Sequence, residues 1–598
     1  MMENKEAAMH IGASEGVSDG TVSSTGARWV MRHTDADLPL MARTLGINKT
    51  TARVMAHRGI RTKNTALAFL HPHLAPLRDM RDMLGVEAAL TRIAQVLATG
   101  EKIVIYGDYD VDGIMSTVIL YRVLTRLGGD VSYYVPHRME EGYGLNMEAI
   151  EYLHAETARL LITVDNGISA EPEITRAAAL GIDTVIIDHH EPGGVLPPAV
   201  AIVDPKQPDC PYPFKDLCAA ALVYKFCAAL CEKINIPYIE EREMCALAAM
   251  ACICDIVTLA DENRTLISRG LAVMNTDKLI NPGLGALITQ RGYIDKTIDA
   301  YTIGFVLGPC LNATGRLESA EISIDLLLAD DIDSRVMLAK DLIDLNDARK
   351  NLTKECVDRA LAELAQLPDL PKILVLTDAE AHESVAGIVA GRLRDHTGRP
   401  CILLTPGENA YKGSGRSIPA YNLFEAMNAH RDLYHRFGGH AAAAGLTLPE
   451  ENIPLLREAL NRDCTLTEAD FTPTHDIDAE LDSVEITLEL SRELERLAPF
   501  GKGNAAPLFI TRDLRVESVR NLHEKNTLIF TFKSRDNKRV KGIAFGLNAQ
   551  YDRAVAEAGV DGAGGFQMDA AYRIETNTYN GSVSVQMGVR DFVIHPSG

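Results

Sequence analysis

The sequence predicts an α/β protein in which a parallel-sheet domain and a smaller α/β domain are joined by a long helix, followed by a small β-barrel or sandwich. Short apolar runs alternate with helical periodicity in two regions, which is typical of parallel sheets with right-handed crossovers. Residues 331–366 have helical spacing without glycine or proline and separate these regions. From about residue 470, β-rich runs and turn signals favour an all-β domain.

The individual elements follow from the same patterns. Residues from 28 to about 100 are expected to be helical with short breaks. In the first α/β region, apolar runs and helical spacing predict strands at 102–106, 131–135, 160–164 and 184–187 and a helix at 113–127. The second α/β region is predicted to contain a strand at 372–376, a helix at 385–394 and a strand at 401–404. The β region is predicted to contain strands at 508–510, 527–532 and 541–545 and a hairpin turn at 579–582.

Two segments differ in charge from the rest of the chain. The helix at 331–366 would be roughly 50 Å long and could join two lobes. Residues 318–370, which include it, carry 13 acidic and 6 basic residues, as expected of a solvated helical region. Residues 509–545 carry 9 basic and 4 acidic residues, so the predicted β domain has a local positive charge.

Composition excludes several classes of protein. The 598 residues carry a net charge of −22, which argues against coating of nucleic acid by bulk charge, since counterion release needs clustered lysine and arginine. A run of 18 apolar residues is absent, so a membrane span is not expected. Residues 1–27 are polar, lack the apolar core of a secretory signal, and predict a flexible extension. The 11 cysteines form no CxxC pair, so buried thiols in a reducing cytoplasm are expected.

Aspartates follow the first predicted strand at alternate positions, Asp108, Asp110 and Asp112. In an extended segment this spacing would point all three side chains the same way. Three carboxylates packed together are costly unless a cation compensates their charge. The alternatives are a solvated turn or a calcium loop, but the twelfth position from Asp108, where an EF-hand loop needs glutamate, is Ile119.

Acids and imidazoles also follow the next strands. Asp165 follows the run at 160–164, and Asp188, His189 and His190 follow the run at 184–187. Ligands bind beyond the carboxyl ends of parallel strands, so these side chains should meet at one edge. Asp255 is a single acid in a very apolar stretch, where burial is expensive unless it is a ligand or a cap. Carboxylates with one or two imidazoles suit a pair of Mn²⁺ or Mg²⁺ ions.

Together these motifs resemble the DHH phosphoesterase superfamily. DYDVDG at 108–113, VDNG at 164–167, DHH at 188–190 and CDIV at 254–257 occur in its order and spacing. Within it the chain resembles the RecJ family of single-strand-specific exonucleases from about Trp29 to Ile594. Further shared motifs are HRGI at 57–60, EGYGLN at 141–146, LADENRTL at 259–266, LNDAR at 345–349, GSGRS at 413–417, FGGHAAAAG at 437–445 and LAPFGKGNAAPLF at 497–509.

The resemblance implies a domain arrangement. It comprises a flexible extension at 1–27, N-terminal helices and a DHH phosphoesterase domain at 28–330, a connecting helix at 331–366, a DHHA1 domain at 367–465, and an OB-fold nucleic-acid-binding domain at 466–598. The glycine-rich motif at 437–445 resembles the DHHA1 signature, and the motif at 497–509 resembles the entry to the oligonucleotide-binding barrel.

It also implies roles for the residues at the sheet edge. The metal ligands for two divalent cations, Mn²⁺ or Mg²⁺, would be Asp108, Asp110, Asp112, Asp165, His189 and Asp255. The catalytic set would be Asp112, Asp165 as the bridge between the metals, and His190 on the scissile phosphate. Two cations a few ångströms apart activate a water and stabilise the leaving oxygen, which agrees with this assignment. Asp188 is expected to orient an imidazole rather than to bind a cation itself.

Substrate binding is expected to use cationic groups. The positions that match those near the nucleic-acid path or its 5′ phosphate are Arg138, Arg316, Ser414, Arg416, Gly438, Gly439 and His440. Arginine pairs with phosphate in a bidentate way, although surface salt bridges and a plain structural turn remain alternatives. Two departures from the family pattern bear on processivity or substrate preference rather than on the reaction type: Pro309-Cys310 replaces Pro-Arg, and Ser384 replaces the glycine of His-x-Gly-Val.

The function that the resemblance implies is a metal-dependent 5′→3′ exonuclease, which hydrolyses single-stranded DNA to 5′ mononucleotides in repair and recombination. Its implied partners are single-strand-binding protein and a RecQ-type helicase. One alternative is a phosphodiesterase of short oligonucleotides or cyclic dinucleotides, but such relatives typically lack the C-terminal barrel. Another is a non-catalytic DNA-binding scaffold, but such relatives tend to lose metal ligands that are all present here.

Overall fold

The computed structural model describes residues 17–138, 141–142, 144–579 and 581–596. The chain forms two compact units, one of residues 72–464 and one that combines residues up to 71 with residues from 465 onward. Residues 1–16 of the expected flexible extension lie outside the described residues. Residues 17–22 form a strand, where the sequence analysis expected a flexible extension.

The N-terminal segment contains two strands and three short helices. They are β1 (Val17–Val22), β2 (Arg28–Met31), α1 (Leu38–Leu45), α2 (Lys49–His57) and α3 (Lys63–Leu70). The helices confirm the expectation for this segment, but β2 is a strand where helix was expected.

The first sheet lies in the unit of residues 72–464 and is wholly parallel. Its elements are α4 (Val86–Thr99), β3 (Lys102–Tyr106), α5 (Val111–Arg126), β4 (Asp130–Tyr134), α6 (Met147–Ala155), β5 (Leu160–Val164), α7 (Glu171–Ala179), β6 (Asp183–Ile187) and β7 (Ala201–Val203). The strand order is β4-β3-β5-β6-β7, and every residue of β5 is buried. The order reverses beside β3, so the carboxyl ends of β3 and β5 form the switch point where ligands bind in such sheets.

Helices cover this sheet and continue from it. They are α8 (Ala219–Lys233), α9 (Glu241–Cys254), α10 (Asp261–Thr276), α11 (Pro282–Gln290), α12 (Ala300–Thr302), α13 (Gly308–Leu317) and α14 (Glu321–Leu328). A π-helical turn at Ile303–Leu307 connects α12 to α13. Such turns are rare and frequently occur at functional sites.

The long helix α15 (Ile332–Leu364) confirms the predicted connector. Asp331 caps it by accepting a hydrogen bond from the amide of Ser334 at 2.8 Å. Ala339 and Leu342 pack in the core of the first sheet, whereas Ala360 and Leu364 pack in the core of the second. One helix therefore contributes to both cores.

The second sheet is mostly antiparallel. Its elements are β8 (Leu374–Thr377), α16 (Ala386–Thr397), β9 (Cys401–Pro406), β10 (Tyr411–Arg416), α17 (Leu423–Asn428), β11 (Arg436–His440), β12 (Ala443–Leu448) and α18 (Ile453–Arg462). The order is β11-β12-β10-β9-β8, and within this sheet β8 and β9 pair in parallel.

The C-terminal region contains a closed barrel. Its elements are α19 (Glu468–Phe471), β13 (Thr474–Ile477), β14 (Ala479–Glu480), α20 (Leu488–Glu495), β15 (Phe509–Leu522), β16 (Thr527–Lys533), β17 (Arg539–Phe545), α21 (Asn548–Ala558), β18 (Phe566–Tyr579) and β19 (Ser582–Ile594). Strands β15-β16-β17-β19-β18 pair in succession, and β18 pairs back onto β15. This closure removes the sheet edges and decides the barrel against the sandwich. The β18–β19 hairpin confirms the predicted turn, of which Asn580 is outside the described residues.

The N-terminal segment packs on this barrel unit, whereas the sequence analysis grouped it with residues up to 330. β2 pairs in parallel with β13, and the buried Trp29 donates a hydrogen bond to Asp591 at 2.8 Å. Arg58 of the HRGI motif donates to Asn504 at 2.6 Å. These partners lie more than 440 positions away, which is why local periodicity missed β2.

The described residues include no helix with the length and apolar content to cross a membrane.

Candidate metal centre

The aspartates after β3 lie at the start of a helix rather than in an extended segment. Asp110 caps α5, because its Oδ1 accepts hydrogen bonds from the amides of Asp112 at 2.8 Å and Gly113 at 3.1 Å. Asp112 therefore lies in the first helical turn. The segment is therefore not extended throughout, as the alternate spacing assumed: Asp108 and Asp110 group with Asp165, and Asp112 groups with His189 and Asp255.

Asp112 is held in place by a second helix. Its two oxygens accept hydrogen bonds from the amides of Ala219 at 2.7 Å and Ala220 at 2.8 Å, at the start of α8. The positive end of a helix dipole favours a carboxylate there. Oδ2 of Asp112, which accepts the amide of Ala219, lies 3.7 Å from Nε2 of His189. The start of α8 therefore positions the carboxylate against the imidazole.

Asp165 and His189 meet between the carboxyl ends of β5 and β6. Oδ1 of Asp165 lies 3.1 Å from Nε2 of His189. Asp165 has a φ of +63°, a region in which non-glycine residues are uncommon and often mark functional sites. Asp255 follows α9, and its Oδ2 lies 4.0 Å from Nδ1 of His189. His189 is therefore central to the cluster.

Asp188 positions the adjacent imidazole. Its Oδ1 lies 2.7 Å from Nδ1 of His190 and accepts the amide of His189 at 2.7 Å, and its Oδ2 accepts the amide of Ile168 at 3.0 Å. Burial opposes ionisation of Asp188, yet the hydrogen bond and charge of His190 lower the pKa of Asp188. Burial likewise lowers the pKa of His190, but Asp188 outweighs it and raises that pKa to about 9.

The cluster fits hard divalent cations. Oδ1 of the buried Asp108 has no hydrogen-bond partner among the described residues. Burial, followed by the charge of Asp110, raises the pKa of Asp108 to about 8. Burial and then the neighbouring aspartates raise the pKa of Asp165 as well. A cation would compensate this repulsion, and oxygen ligands with an imidazole suit Mn²⁺ or Mg²⁺.

A cationic cavity of about 290 Å³ lies in the same unit. Four predicted residues line it, Arg138, Arg316, Ser414 and Arg416. The guanidinium of Arg138 lies over the ring of Tyr109, 5.0 Å from its centre. Tyr109 lies between Asp108 and Asp110, so the cavity is beside the segment 108–112, called here the aspartate loop. Arg316 donates to the carbonyl of Ser384 at 2.9 Å. Burial, followed by the charge of Arg138, lowers the pKa of Arg316 to about 10, because several cations converge there.

Three further predicted residues do not line this cavity. Gly438, Gly439 and His440 lie on the exposed edge strand β11. Gly438 pairs with Gly445 of β12, and Gly445 does line the cavity. The glycine-rich motif thus reaches the cavity through its second half.

Sequence reasoning missed two cations. Lys412 lines the cavity, and its alternation with Ser414 and Arg416 along the strand was an available signal. Arg349 of the LNDAR motif is the second: its charge lowers the pKa of Arg316, as a smaller cause than burial and the charge of Arg138.

Cys310, which stands where the family pattern has arginine, is fully buried, and its Sγ lies 3.5 Å from Nδ2 of Asn346. Asn346 in turn accepts a hydrogen bond from Arg349 at 2.9 Å.

Three family models match the chain. They are the DHH family N-terminal domain over residues 102–253, the DHHA1 domain over 370–465, and the RecJ OB domain over 477–591. The predicted fold class, with its DHH, DHHA1 and OB domains, is thereby confirmed.

Curated relatives of this chain carry the same family name as the C-terminal domain model. The chain is 35% identical to the single-stranded-DNA-specific exonuclease RecJ of Bacillus subtilis over 95% of this chain and 71% of that protein. It is 34% identical to the RecJ of Dickeya dadantii over 90% of this chain and 94% of that protein.

A solved structure is also similar. A crystal structure of RecJ from Thermus thermophilus in complex with Mn²⁺ matches with a TM-score of 0.79 at 29% identity, over 94% of this chain and 79% of that one. A complex of the same protein with Mg²⁺ matches with a TM-score of 0.74 at 27% identity, over 95% and 79%. These likenesses, together with the acidic cluster, show that the chain belongs to the RecJ family.

Proposed function

We propose that the chain is a divalent-metal-dependent exonuclease that degrades single-stranded DNA from its 5′ end and releases 5′ mononucleotides. The observation that carries this proposal is the acidic cluster at the sheet edge beside a cavity lined by arginines. The relatives named as single-stranded-DNA-specific exonucleases support the substrate class.

The proposed cation ligands form two groups that share one edge. Asp108 and Asp110 lie with Asp165, and Asp112 and Asp255 lie with His189. Asp165 also contacts His189 at 3.1 Å, which supports its role as the bridge. When bound, a pair of divalent cations supplies an activated water and stabilises charge on the leaving oxygen.

His190 is proposed to hold the scissile phosphate. Its Nδ1 lies 2.7 Å from Oδ1 of Asp188, which fixes the ring and favours the protonated imidazole that suits a phosphate oxygen. His190, Asp165 and His189 each have a potential ligand atom within 4.8 Å of those of the other two. Asp188 is therefore a positioning residue, and His190 contacts the reacting group.

The cavity is proposed to bind the 5′ phosphate. Arg138, Arg316 and Arg416 converge there with Ser414, and guanidinium groups hydrogen-bond phosphate in a bidentate way. A terminal phosphate held beside the aspartate loop places the first internucleotide phosphate at the metal cluster. This arrangement accounts for both the 5′ polarity and the mononucleotide product.

The other domain assignments remain proposals. The connecting helix is assigned to 331–366, the DHHA1 domain to 367–465 and the OB domain to 466–598. Oligonucleotide-binding barrels hold single strands through basic grooves and aromatic stacking, and the excess of basic residues at 509–545 supports that role. Action in the cytoplasm, in repair and recombination with single-strand-binding protein and a RecQ-type helicase, rests on family membership.

Digestion of end-labelled single strands tests the proposal. With Mn²⁺ or Mg²⁺, a 5′ label should appear at once as a mononucleotide, whereas a 3′ label should pass through progressively shorter strands. EDTA should abolish both patterns. Degradation from the 3′ end, or cleavage that persists in EDTA, would contradict the proposal.

A further inference from the structure

An exposed pair of aromatic rings lies on the helical segment that precedes α13. Tyr301 is 64% exposed and Phe305 is 69% exposed. Their rings stack with centres 4.9 Å apart and planes 24° apart. Large exposed apolar groups that cluster in this way often mark interaction sites.

The segment that carries this pair runs alongside the metal centre. Gly304, between the two aromatic residues, faces Ile253, two positions before Asp255, with its ideal Cβ 3.7 Å from Ile253 Cγ2. Further along, Gly308 packs against Cys254 so closely that a Cβ would collide with its sulfur. The aromatic pair therefore borders the end of α9 that presents Asp255.

Contacts between this helical segment and the residues of the metal centre continue in a row as far as the cationic cavity. Asn312 accepts a hydrogen bond at 3.1 Å from the amide of Val111, between Asp110 and Asp112. Gly315 packs against the carbonyl of Tyr109, and Arg316 lines the cavity. The segments that carry Asp110 and Asp255 thus contact the stretch of helix between the aromatic pair and Arg316.

We propose that Tyr301 and Phe305 form a stacking platform for a base of the single-stranded substrate, on the 3′ side of the phosphate that is cleaved. The inference rests on the proposed function, because the 5′ phosphate is assigned to Arg316 at the other end of the row. Aromatic rings bind single-stranded bases without sequence preference, since every base has a π-face. The neighbouring Ile256, which follows Asp255, is 64% exposed and adds apolar surface to this side of the centre.

The spacing limits which nucleotide can reach the platform. Phe305 and Arg316 are eleven positions apart in the chain, or roughly 16 Å at the rise of an α-helix. Stacked nucleotides advance by about 3.4 Å each, so the platform should contact a base within about the first five from the 5′ end. A dinucleotide is too short to span the row.

An abasic scan of the unmodified protein tests the platform without any variant. Strands with a 5′ phosphate carry one abasic nucleotide at each of positions two to eight, and KM is measured with Mn²⁺. An abasic nucleotide should raise KM roughly 5- to 150-fold within a window of one or two neighbouring positions among the first five, and little elsewhere. This is the range for loss of one aromatic stack. A flat profile would overturn the inference while leaving the proposed function intact. Failure to cut the unmodified strand would instead refute the proposed function.

Paired variants connect that window to these residues. Tyr301→Ala combined with Phe305→Leu should raise KM for long strands by a similar factor, leave kcat within about twofold, and flatten the abasic profile. Tyr301→Phe with Phe305→Trp should retain the window, because rings remain. Leu279→Ala removes another exposed apolar side chain, 58% exposed, and serves as the control. If the ring-deleted protein keeps the parental profile and KM, the platform is not formed by these two residues.

Discussion

Replacing Asp108 with asparagine tests whether the acidic cluster is built around bound cations. Asp108 is buried, and its Oδ1 has no hydrogen-bond partner among the described residues. Burial, followed by the charge of Asp110, raises the pKa of Asp108 from 3.8 to about 8. In metal-free protein at neutral pH the folded chain must therefore take up a proton that the unfolded chain does not bind.

The cost of this proton uptake follows from linkage. Between pH 3.8 and about 8 the folded state binds more protons, so the free energy of unfolding decreases as pH rises, by up to about 1.4 kcal/mol per pH unit. At pH 7 the cost approaches about 4 kcal/mol, part of which the neighbouring carboxylates share. Asparagine has the same shape without the charge, so Asp108→Asn should stabilise the metal-free protein by roughly 2 to 4 kcal/mol.

Calorimetric unfolding in EDTA at pH 6, 7 and 8 measures this difference. Asp108→Asn should raise Tm above that of the parent, and the gap should widen from pH 6 to pH 8. Mn²⁺ should raise the Tm of the parent more than that of the variant, because a ligand has been removed. Asp295→Asn, at an exposed acid of the same unit, is the control. If Asp108→Asn melts at or below the parent at pH 8 in EDTA, the charge of Asp108 does not destabilise the metal-free fold and the prediction is refuted.

Three further variants test the positions around the reacting phosphate. Asp188→Asn should lower kcat roughly 5- to 10-fold with KM unchanged, since His190 loses a charged acceptor; a change in KM alone would argue against a positioning role. Gly315→Ala forces a Cβ against the carbonyl of Tyr109 and should cost roughly 1–3 kcal/mol of stability, measured by urea unfolding; an unchanged midpoint would contradict that close approach. Arg416→Gln should raise KM roughly 10- to 150-fold for strands with a 5′ phosphate and little for strands with a 5′ hydroxyl, and equal effects on both substrates would contradict the assignment of the cavity.

The elements that sequence predicted best are those whose pattern is set by burial alone. Strand β5 is buried along its whole length, and such strands appear as continuous apolar runs. Asp165 and the Asp188–His190 motif follow directly, because parallel strands bring their carboxyl ends to one edge. The long helix α15 was equally readable, since it has no helix-breaking residue over 33 positions.

What sequence could not supply depends on contacts between distant segments. Asp112 lies in the first turn of α5, which begins at Val111, and its carboxylate accepts hydrogen bonds from the amides at the start of α8. Strand β2 exists because β13 pairs with it from the far end of the chain. The exposure of Tyr301 likewise cannot be read from local spacing, because an aromatic residue at helical spacing is more often buried.

Divalent cations bound at the acidic cluster would supply the chemistry that cleaves the strand at its 5′ end, with Asp165 among the residues that hold them. The most direct test is the rate at which mononucleotides leave a 5′-phosphorylated single strand as Mn²⁺ is titrated, for the parent and for Asp165→Asn. Release from the parent should require Mn²⁺, and the variant, still folded by circular dichroism, should be slower by at least about 100-fold across the titration. Mononucleotide release from Asp165→Asn at the parental rate would contradict the assignment of Asp165 to the metal centre.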